Sequence, residues 1–481
     1  MNNRLIYVAV AICICFTYVM VRLSIICSNE EYRKISDSQN ISYTNIHKTF
    51  ANIYDRHLKR LVNETKTTTT VHVENKDVDI TEIQRYSDNQ LASHIIGYIK
   101  DGVGVCGLEA DYDDYLRSYS ADTGVEIKGN DVLASAPVNI FEGIVTTLDK
   151  RIQGICEDKA DEYINSGAVV VMNVNNGDIL ASISRPNFSP NNLYEAINDS
   201  DNSPLLNRVN QSYNLGSIFK LVVAATAIEY GYSTDTVFDC KGLVDIDGHS
   251  IRCHKLSGHG AVNMKDAMND SCNCYFINLG MILPSERISW TASMLSFGRI
   301  IKYGTNLSTK SGYLPSVSQL DDNIEKANFC FGQGKLSVTP LQVCEMTCAF
   351  ANDGVMPTAR IVLGTSLDGV NIDEETSPKF TKSISKTTAN VVKELMISVV
   401  EYEGNALAKP KLVSAGGKTA TAQTGQYNED GTEKLNCWFT GFFPSDNPQY
   451  AITILSENGS SALSECGACF AEICDEIYKK I

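Results

Sequence analysis

An uncharged run from Leu5 to Val21, with Arg4 before it and Arg22 after it, is the feature that does most to determine how this chain is arranged relative to a membrane. Its length, about 17 residues, is at the short end of what a membrane-spanning helix needs. A cleaved signal peptide is the alternative, but no small-x-small cleavage site precedes a polar stretch, so we expect a retained anchor. No second long apolar run follows residue 28. The bulk of the protein is therefore expected on one side of the membrane, while the arginines at both ends of the run leave its orientation open.

The acidic composition excludes several kinds of partner. Asp and Glu number 57 against 41 Lys and Arg, which gives a net charge of −16 without any basic block. Phosphate binding needs clustered lysine and arginine, so we expect no nucleic-acid partner. The same balance argues against peripheral adhesion to an anionic membrane surface. A chain of 481 residues is expected to contain more than one folded unit.

The 16 cysteines leave the redox environment open, because a large secreted protein rarely carries this many unless they pair, whereas a reducing environment tolerates free thiols. They show no repeated metal-ligand spacing. Only Cys240 and Cys253, which flank a short glycine-containing segment, look like a local disulfide pair. Cys466 and Cys469 form a C-x-x-C, but the apolar spacing around them is that of a helix. We therefore interpret both as buried packing residues.

The composition of the chain changes near Val145, from mostly polar to a mixture of apolar strands and helices. Residues 28–138 are polar, with short strand-like pieces such as 67–73, and are expected to form a β-rich pedestal module after the cytoplasmic tip and anchor at 1–27. Residues 139–481 contain strands near both ends with helices between them, which predicts an α+β domain whose sheet unites its two chain ends. The predicted strands are 167–173 and 178–184, which flank the hairpin signal Asn176-Gly177, and 435–443 and 450–457; helices are predicted at 215–230 and 460–481.

A lysine inside an apolar segment marks the first candidate for catalysis. Lys220 interrupts segment 215–230, which is apolar almost all round and predicts a buried helix. Burial lowers the pKa of a lysine toward neutrality, and Ser217 lies one turn away on the same face. A partly deprotonated lysine can remove the proton of a serine hydroxyl and make it a nucleophile. The same Ser-x-x-Lys string at 383–386 lies in a polar stretch, which we interpret as solvated surface.

Two further motifs follow in the chain. Ser271 and Asn273 stand two residues apart after a helical segment, so that a hydroxyl and an amide can bind both the lysine and a substrate amide. In the segment 416–422, two glycines allow close backbone approach and alternating threonines suit an edge strand. Lys418 supplies a positive charge and Thr419 a hydroxyl, which suits a bound carboxylate. Each motif alone is commonly a turn or a loop.

Ser-x-x-Lys, Ser-x-Asn and Lys-Thr-Gly in this order are the signature of penicillin-binding proteins and serine β-lactamases. The chain resembles a class B penicillin-binding protein over nearly its whole length. The resemblance implies the β-lactamase-like transpeptidase fold, an antiparallel sheet flanked by helices. Ala420 departs from it, because glycine is usual there and a methyl could crowd the backbone beside the substrate, although we expect it to be tolerated. Further segments that resemble the family are 53–56, 94–98, 107–109, 147–153, 167–171, 185–191, 332–334 and 339–342.

The resemblance implies a role for each motif residue and no metal or organic cofactor. Ser217 would attack the D-Ala-D-Ala carbonyl of a peptidoglycan stem peptide, with Lys220 as general base, and β-lactam antibiotics would acylate the same serine. Ser271 would pass a proton to the leaving amine, while Asn273 would hold the substrate amide. The other implied substrate-binding residues are Lys418 and Thr419, for the terminal carboxylate, and Thr421, whose N–H would join that of Ser217 in an oxyanion hole.

Other functions fit the sequence less well. A class A β-lactamase would carry Glu-x-x-Leu-Asn, which residues 295–325 lack, and D,D-carboxypeptidases usually lack the module around 53–56. A non-catalytic scaffold is disfavoured because all the motif residues are present. Residues 28–138 are too few for a glycan-polymerising domain, so the resemblance implies a separate membrane polymerase of the SEDS class. It also implies a single-pass membrane protein of cell-wall synthesis, with its catalytic domain outside the cytoplasm; division, elongation and sporulation remain open as its setting.

Overall fold

The structure, a computed structural model, describes residues 2–32, 42–73, 76–128, 131–135 and 140–481. Numbered in chain order, helices α1 to α14 are Asn2–Ser28, Ser93–Ile96, Gly107–Asp111, Asp113–Ser118, Lys150–Tyr163, Leu193–Asn198, Lys220–Glu229, Met264–Asn269, Asn273–Ile282, Ser285–Met294, Asn323–Phe329, Pro340–Ala351, Lys386–Glu401 and Ala468–Lys480. Strands β1 to β21 are Ser42–Thr49, Asn52–Tyr54, Thr65–Val73, Lys76–Gln84, Ile99–Lys100, Val103–Gly104, Ala121–Lys128, Asp131–Ser135, Gly143–Thr146, Gly167–Asn173, Ile179–Arg185, Phe238–Cys240, Leu243–Ile246, His249–Arg252, Gly260–Val262, Val355–Pro357, Val362–Ser366, Phe380–Lys382, Gly416–Tyr427, Glu433–Phe443 and Tyr450–Glu457. Short 3-10 turns cover Arg208–Asn210, Gly216–Phe219, Val317–Gln319 and Glu403–Ala408, and a π-turn covers Leu463–Gly467.

The chain divides into two compact units that alternate along the sequence. The smaller unit contains residues 1–51, 63–85 and 118–140, and the larger unit contains residues 52–62, 86–117 and 141–481. The predicted module 28–138 is thus shared between the two units. Its predicted boundary at 138 and 139 lies outside the described residues. The division into an anchor, a pedestal and a transpeptidase domain therefore stays a prediction.

The smaller unit combines the N-terminal helix with antiparallel strands. Helix α1 continues past Arg22 because the residues that follow are again mostly apolar, and the stretch Ile6–Ser28, with a mean hydropathy of 2.3, is long and apolar enough to cross a membrane. The helix is therefore longer than the uncharged run from which it was predicted. Strand β7 pairs with β1 and β8, and β3 pairs with β4 in a hairpin that includes the predicted strand 67–73.

The larger unit is built on a five-stranded antiparallel sheet with the order β11-β10-β21-β20-β19. Strands from the two ends of this region are neighbours in the sheet, which confirms the predicted α+β fold. Strands β10 and β11 are joined at the predicted Asn176-Gly177 turn, where Gly177 has a φ of 78°. Strand β19 lies at the edge of the sheet, as its alternating threonines predicted.

Helices cover both faces of this sheet, because successive side chains of a strand point to opposite sides. On one face, Val169 and Val171 of β10 pack in a hydrophobic core with Ile152 of α5 and Ile473 of α14. On the other face lies α12, in which every residue is buried. Its Thr347 hydroxyl is 2.6 Å from the hydroxyl of Thr440 in β20. The sheet is therefore the central layer of the larger unit.

The cysteines divide into packing residues and one cluster. Cys466 and Cys469 are completely buried in the core on α14 and the π-turn before it, which confirms the packing interpretation. Every cysteine of the chain is free. The expected disulfide between Cys240 and Cys253 is therefore wrong: both thiols face the Nδ1 atom of His259, at 3.4 and 3.6 Å, and remain unbonded to each other.

Candidate active site

The predicted nucleophile lies on a tight turn that opens helix α7. Gly216 has a φ of 67°, in the left-handed region that favours glycine, and its N–H donates to the carbonyl of Gly332 at 2.9 Å. A Cβ on Gly332 would come within 1.9 Å of the Gly216 carbonyl oxygen. Strand β19 also passes close to this turn, since a Cβ on Gly216 would lie 3.0 Å from the carbonyl oxygen of Thr421. These contacts hold Ser217, which is half-buried, beside the edge strand.

Lys220 lies beneath that serine with no exposed surface. Its Nζ is 3.0 Å from the hydroxyl of Ser217 and donates to the Ser271 carbonyl at 2.6 Å. It is also 3.1 Å from the Ser271 hydroxyl and 2.8 Å from Oδ1 of Asn273. Two of the three predicted motifs therefore meet at one nitrogen atom.

The electrostatics of this nitrogen favour a neutral amine. Burial lowers the pKa of Lys220 well below its usual range, and the nearby positive charge of Lys418 lowers it further. An ammonium group has three N–H donors and accepts nothing, whereas four oxygen atoms surround this nitrogen. A neutral amine can instead accept the Ser217 hydroxyl proton while it donates to Ser271 and Asn273.

Ser271 lies at the C-terminal end of helix α8, at a position where glycine is usual. The N–H of Ser271 donates to the carbonyl of Met268 at 3.2 Å, and the N–H of Cys272 donates to that of Ala267 at 2.8 Å. This pair of bonds is the Schellman ending of helix α8, in which the left-handed position usually belongs to glycine. Ser271 occupies it with a φ of 51°. Helix α9 begins at Asn273, whose Nδ2 donates to the carbonyl of Arg252 at 3.2 Å.

The third motif lies on β19, where side chains alternate between the protein interior and the cleft. Lys418 is 1% exposed and its Nζ donates to the carbonyl of Thr419 at 3.2 Å, while burial lowers its pKa to about 7. Thr419 and Thr421 point the other way and are more exposed. Ala420 is on the same face of the strand as Lys418 and is 3% exposed. Ala420 is nevertheless among the residues that line the cleft, so its tolerance beside a substrate stays a prediction.

The two glycines that begin β19 serve packing. A Cβ on Gly416 would lie 2.6 Å from the ring of Phe442, and one on Gly417 would lie 2.4 Å from the ring of Phe439. The groups that approach the backbone of these two glycines closely are thus aromatic rings of β20. No larger residue fits at either position without moving this part of the sheet.

A cleft of about 900 Å³ lies above these groups. Five of the seven predicted site residues line it, and the two lysines lie buried beside them. A cleft of this size accepts a peptide or a small organic ligand. The predicted residues on its walls are Ser217, Ser271, Asn273, Thr419 and Thr421, and its other walls include Arg252, Cys253, His254, Gln333 and Gln423.

Some features of the site were missed or misjudged from the sequence. The indole N–H of Trp438 donates to the carbonyl of Asn214 at 3.0 Å, and the Asn214 side chain donates to the carbonyl of Gln423 at 2.9 Å. These bonds fasten the segment before the nucleophile to the sheet, and no local sequence pattern indicates them. The solvated-surface interpretation of the second Ser-x-x-Lys is wrong for Ser383, which is 2% exposed, although Lys386 is 71% exposed and pairs with Asp353 at 2.9 Å.

Comparison with known proteins identifies the class of this fold and site. Residues 167–479 match the model of the penicillin binding protein transpeptidase domain. The chain therefore belongs to that family, and the resemblance drawn from its motifs is confirmed.

Named relatives agree with this assignment. The chain is 30% identical over 422 residues to Stage V sporulation protein D of Bacillus subtilis, covering 82% of this chain and 63% of that protein. It is 25% identical to the peptidoglycan D,D-transpeptidase PbpA of Mycolicibacterium smegmatis, with 80% of this chain and 81% of that protein covered. The crystal structure of penicillin binding protein 3 from Mycobacterium tuberculosis, complexed with aztreonam, is 25% identical, has a TM-score of 0.70, and is matched over 97% of its chain and 91% of this one.

Proposed function

We propose that the protein is a peptidoglycan D,D-transpeptidase that works through an acyl-enzyme on Ser217. The observation that carries the proposal is the completely buried Lys220 Nζ, 3.0 Å from the Ser217 hydroxyl at the edge of an open cleft. A base with a lowered pKa within hydrogen-bonding reach of a serine is the arrangement that activates this nucleophile. The family relationship and the name of the mycobacterial relative support the same reaction.

The chemistry follows from the hydrogen bonds around Lys220. The neutral amine of Lys220 takes the hydroxyl proton of Ser217. At the same time the Ser217 oxygen bonds to the carbonyl carbon of the penultimate D-alanine. Collapse of the tetrahedral intermediate breaks the C–N bond, and the terminal D-alanine leaves with a proton passed from Lys220 by way of the Ser271 hydroxyl, 3.1 Å away. The amine of a second stem peptide then attacks the ester, forms the cross-link and returns the serine hydroxyl.

The remaining motif residues are assigned to substrate binding. The charge of Lys418 and the hydroxyl of Thr419 bind the terminal carboxylate, and Asn273 binds the substrate amide. The N–H groups of Ser217 and Thr421 stabilise the oxyanion, which is supported by the close passage of β19 over Gly216. Each such donor typically contributes about 10²–10³ in rate.

The setting of the enzyme is part of the proposal. Helix α1 anchors the chain as a single span, and residues 28 onward lie outside the cytoplasm, where the cell wall is built. The chain contributes the cross-linking reaction, and a separate SEDS-class polymerase in the membrane supplies the glycan strands. β-Lactams act as substrate analogues that leave Ser217 acylated.

Acylation by a fluorescent penicillin tests the proposed site directly. Intact-mass analysis of the detergent-solubilised chain is expected to show one adduct, which maps to Ser217 and is absent from Ser217→Ala. Ser383→Ala is the matched control, because that serine begins the second Ser-x-x-Lys string, and it should retain the adduct. An adduct that persists in Ser217→Ala would contradict the assignment.

The acceptor distinguishes a transpeptidase from a carboxypeptidase. Incubation with a stem-peptide donor and an amine acceptor is expected to release D-alanine and form the cross-linked product. Release of D-alanine with water as the sole acceptor would identify a carboxypeptidase. Absence of both reactions, together with absence of penicillin acylation, would favour a non-catalytic scaffold.

A further inference from the structure

Three cysteines and a histidine converge on the wall of the active-site cleft. The Sγ atoms of Cys240, Cys253 and Cys272 and one ring nitrogen of His259 all lie within 4.8 Å of one another. Among the residues that the structure describes, this is the one such grouping of potential metal ligands. The thiols are 0–2% exposed, and the histidine is half-buried.

The spacing of these atoms fits a tetrahedral metal centre. Zinc bonds of about 2.3 Å to sulfur and about 2.0–2.1 Å to nitrogen, at tetrahedral angles, place sulfur and nitrogen ligands roughly 3.6 Å apart. The Nδ1 atom of His259 is 3.4 Å from Sγ of Cys240 and 3.6 Å from Sγ of Cys253. Buried thiols elsewhere in the fold behave differently: that of Cys466 donates to a backbone carbonyl at 3.3 Å.

The four side chains come from separate elements, so a common ligand would tie these elements together. Cys240 ends β12, Cys253 follows β14, His259 precedes β15 and Cys272 precedes α9. We propose that these four residues bind a structural Zn²⁺ ion that positions the loop carrying Ser271 and Asn273. Soft thiolate ligands with one imidazole select zinc over the hard cations Mg²⁺ and Ca²⁺. Binding releases one proton from each of the three thiols, and four protein ligands close the coordination shell.

The location of the ligands gives the ion its positioning role. Cys272 lies between Ser271 and Asn273, both of which contact Lys220 Nζ. Cys253 directly follows Arg252, whose carbonyl accepts a hydrogen bond from Asn273 at 3.2 Å. An ion bonded to the sulfurs of Cys253 and Cys272 would therefore fix both the segment that carries the donor, Asn273, and the segment that carries the acceptor, Arg252. Cys274 is also within hydrogen-bonding reach of the Cys253 and Cys272 thiols, so the experiment must separate it from His259 as a ligand.

Metal analysis of the full chain, purified in detergent under reducing conditions without chelator, tests the zinc site. We expect one zinc per chain, retained in Cys106→Ser and Cys274→Ser and lost in Cys253→Ser and Cys272→Ser. Cys106 is the matched control because it is a half-buried thiol outside the cluster. Replacement of the zinc by Co²⁺ should give thiolate charge-transfer bands and tetrahedral ligand-field bands, which reports ligation in the parent even where a variant fails to fold.

Several results would overturn the proposal. A parent chain that takes up neither Zn²⁺ nor Co²⁺, a Cys240–Cys253 disulfide in non-reduced peptides, or a Cys253→Ser variant that keeps its zinc would each exclude the site. Loss of zinc in Cys274→Ser, with retention in His259→Ala, would overturn the assigned ligand set.

Acylation measurements test the positioning role separately from metal binding. Removal of the zinc by a chelator is expected to slow penicillin acylation at least ~10-fold, comparable to the roughly 10–100-fold cost of mutating groups that support a metal site, and Zn²⁺ should restore the rate. An unchanged rate in the zinc-free chain would contradict the positioning role. Metal content does not depend on the proposed transpeptidase reaction, so failure of that function would leave the zinc result interpretable.

Discussion

Replacement of Lys220 by arginine separates its action as a base from its action as a charge. Guanidinium stays protonated in proteins, so Lys220→Arg places a permanent cation near the oxygens of Ser271 and Asn273 but cannot accept the Ser217 proton. General-base catalysis contributes about 10²–10⁴ in rate. At about 1.4 kcal/mol per factor of ten, the acylation barrier should rise by roughly 3–5 kcal/mol. We therefore expect acylation to slow by at least ~10².

The assay is the second-order rate constant for acylation by a fluorescent penicillin, measured across pH. In the parent the rate should rise with pH through the lowered pKa of Lys220, because the neutral amine is the active form. That rising limb should be absent from Lys220→Arg. Lys326→Arg is the matched control: this lysine also donates to backbone carbonyls, at 2.8 and 3.2 Å, and its replacement should leave the rate unchanged.

Folding must be checked, because the larger guanidinium enters a completely buried position. Thermal melts of the variant and of Lys220→Met, which removes both the charge and the base, provide that check. A folded Lys220→Arg that acylates within threefold of the parent, with the same pH profile, would refute the general-base assignment.

Four further outcomes follow from the site. The pKa of Lys418, lowered to about 7 by burial, makes its charge available below that pH, so donor binding should weaken as the pH rises above it, and Lys418→Arg should remove this alkaline loss in KM profiles. Ala420→Gly should change penicillin acylation less than about threefold, because Ala420 is only 3% exposed and the change removes a single methyl group; a gain of tenfold would contradict this. Gly332→Ala should slow acylation more than Gly334→Ala: both glycines have a left-handed φ, 80° and 76°, but the added Cβ lies 1.9 Å from the Gly216 carbonyl oxygen in the first and 3.5 Å from its nearest atom in the second. Ser271→Gly should raise the melting temperature while slowing acylation, and a lower melting temperature would argue against strain at this residue.

Local patterns were sufficient to predict the main sheet and the helix that carries the base. The alternation around Asn176-Gly177 predicted β10 and β11, and the apolar segment around Lys220 predicted α7. Both signals are local: a hairpin is specified by its turn, and a buried helix by its continuous apolar surface. The order of the three motifs predicted the protein family, and the match over residues 167–479 confirms it.

Local sequence patterns could not predict contacts between residues that are distant in the sequence. The segments 52–62 and 86–117 belong to the larger unit, although their polar composition resembles that of their neighbours in the smaller one. The convergence of Cys240, Cys253 and Cys272 depends on three separate turns, and their spacings of 13 and 19 residues match no familiar metal motif. Ser383 is likewise buried, and its N–H donates to the carbonyl of Gly354, 29 residues earlier in the chain, at 2.9 Å.

The contacts that the proposed base makes with Ser271 depend on how helix α8 ends. A left-handed serine at its terminus costs on the order of 1 kcal/mol relative to glycine, and it persists where the surrounding structure fixes it. Two backbone bonds close the helix there, and α9 begins two residues later, so the Ser271 carbonyl and hydroxyl both face Lys220 Nζ, at 2.6 and 3.1 Å. Glycine would relieve the strain and keep the carbonyl, but it would lose the hydroxyl that passes the proton. The structure thus gives up local stability at the residue where the proposed mechanism needs a side chain.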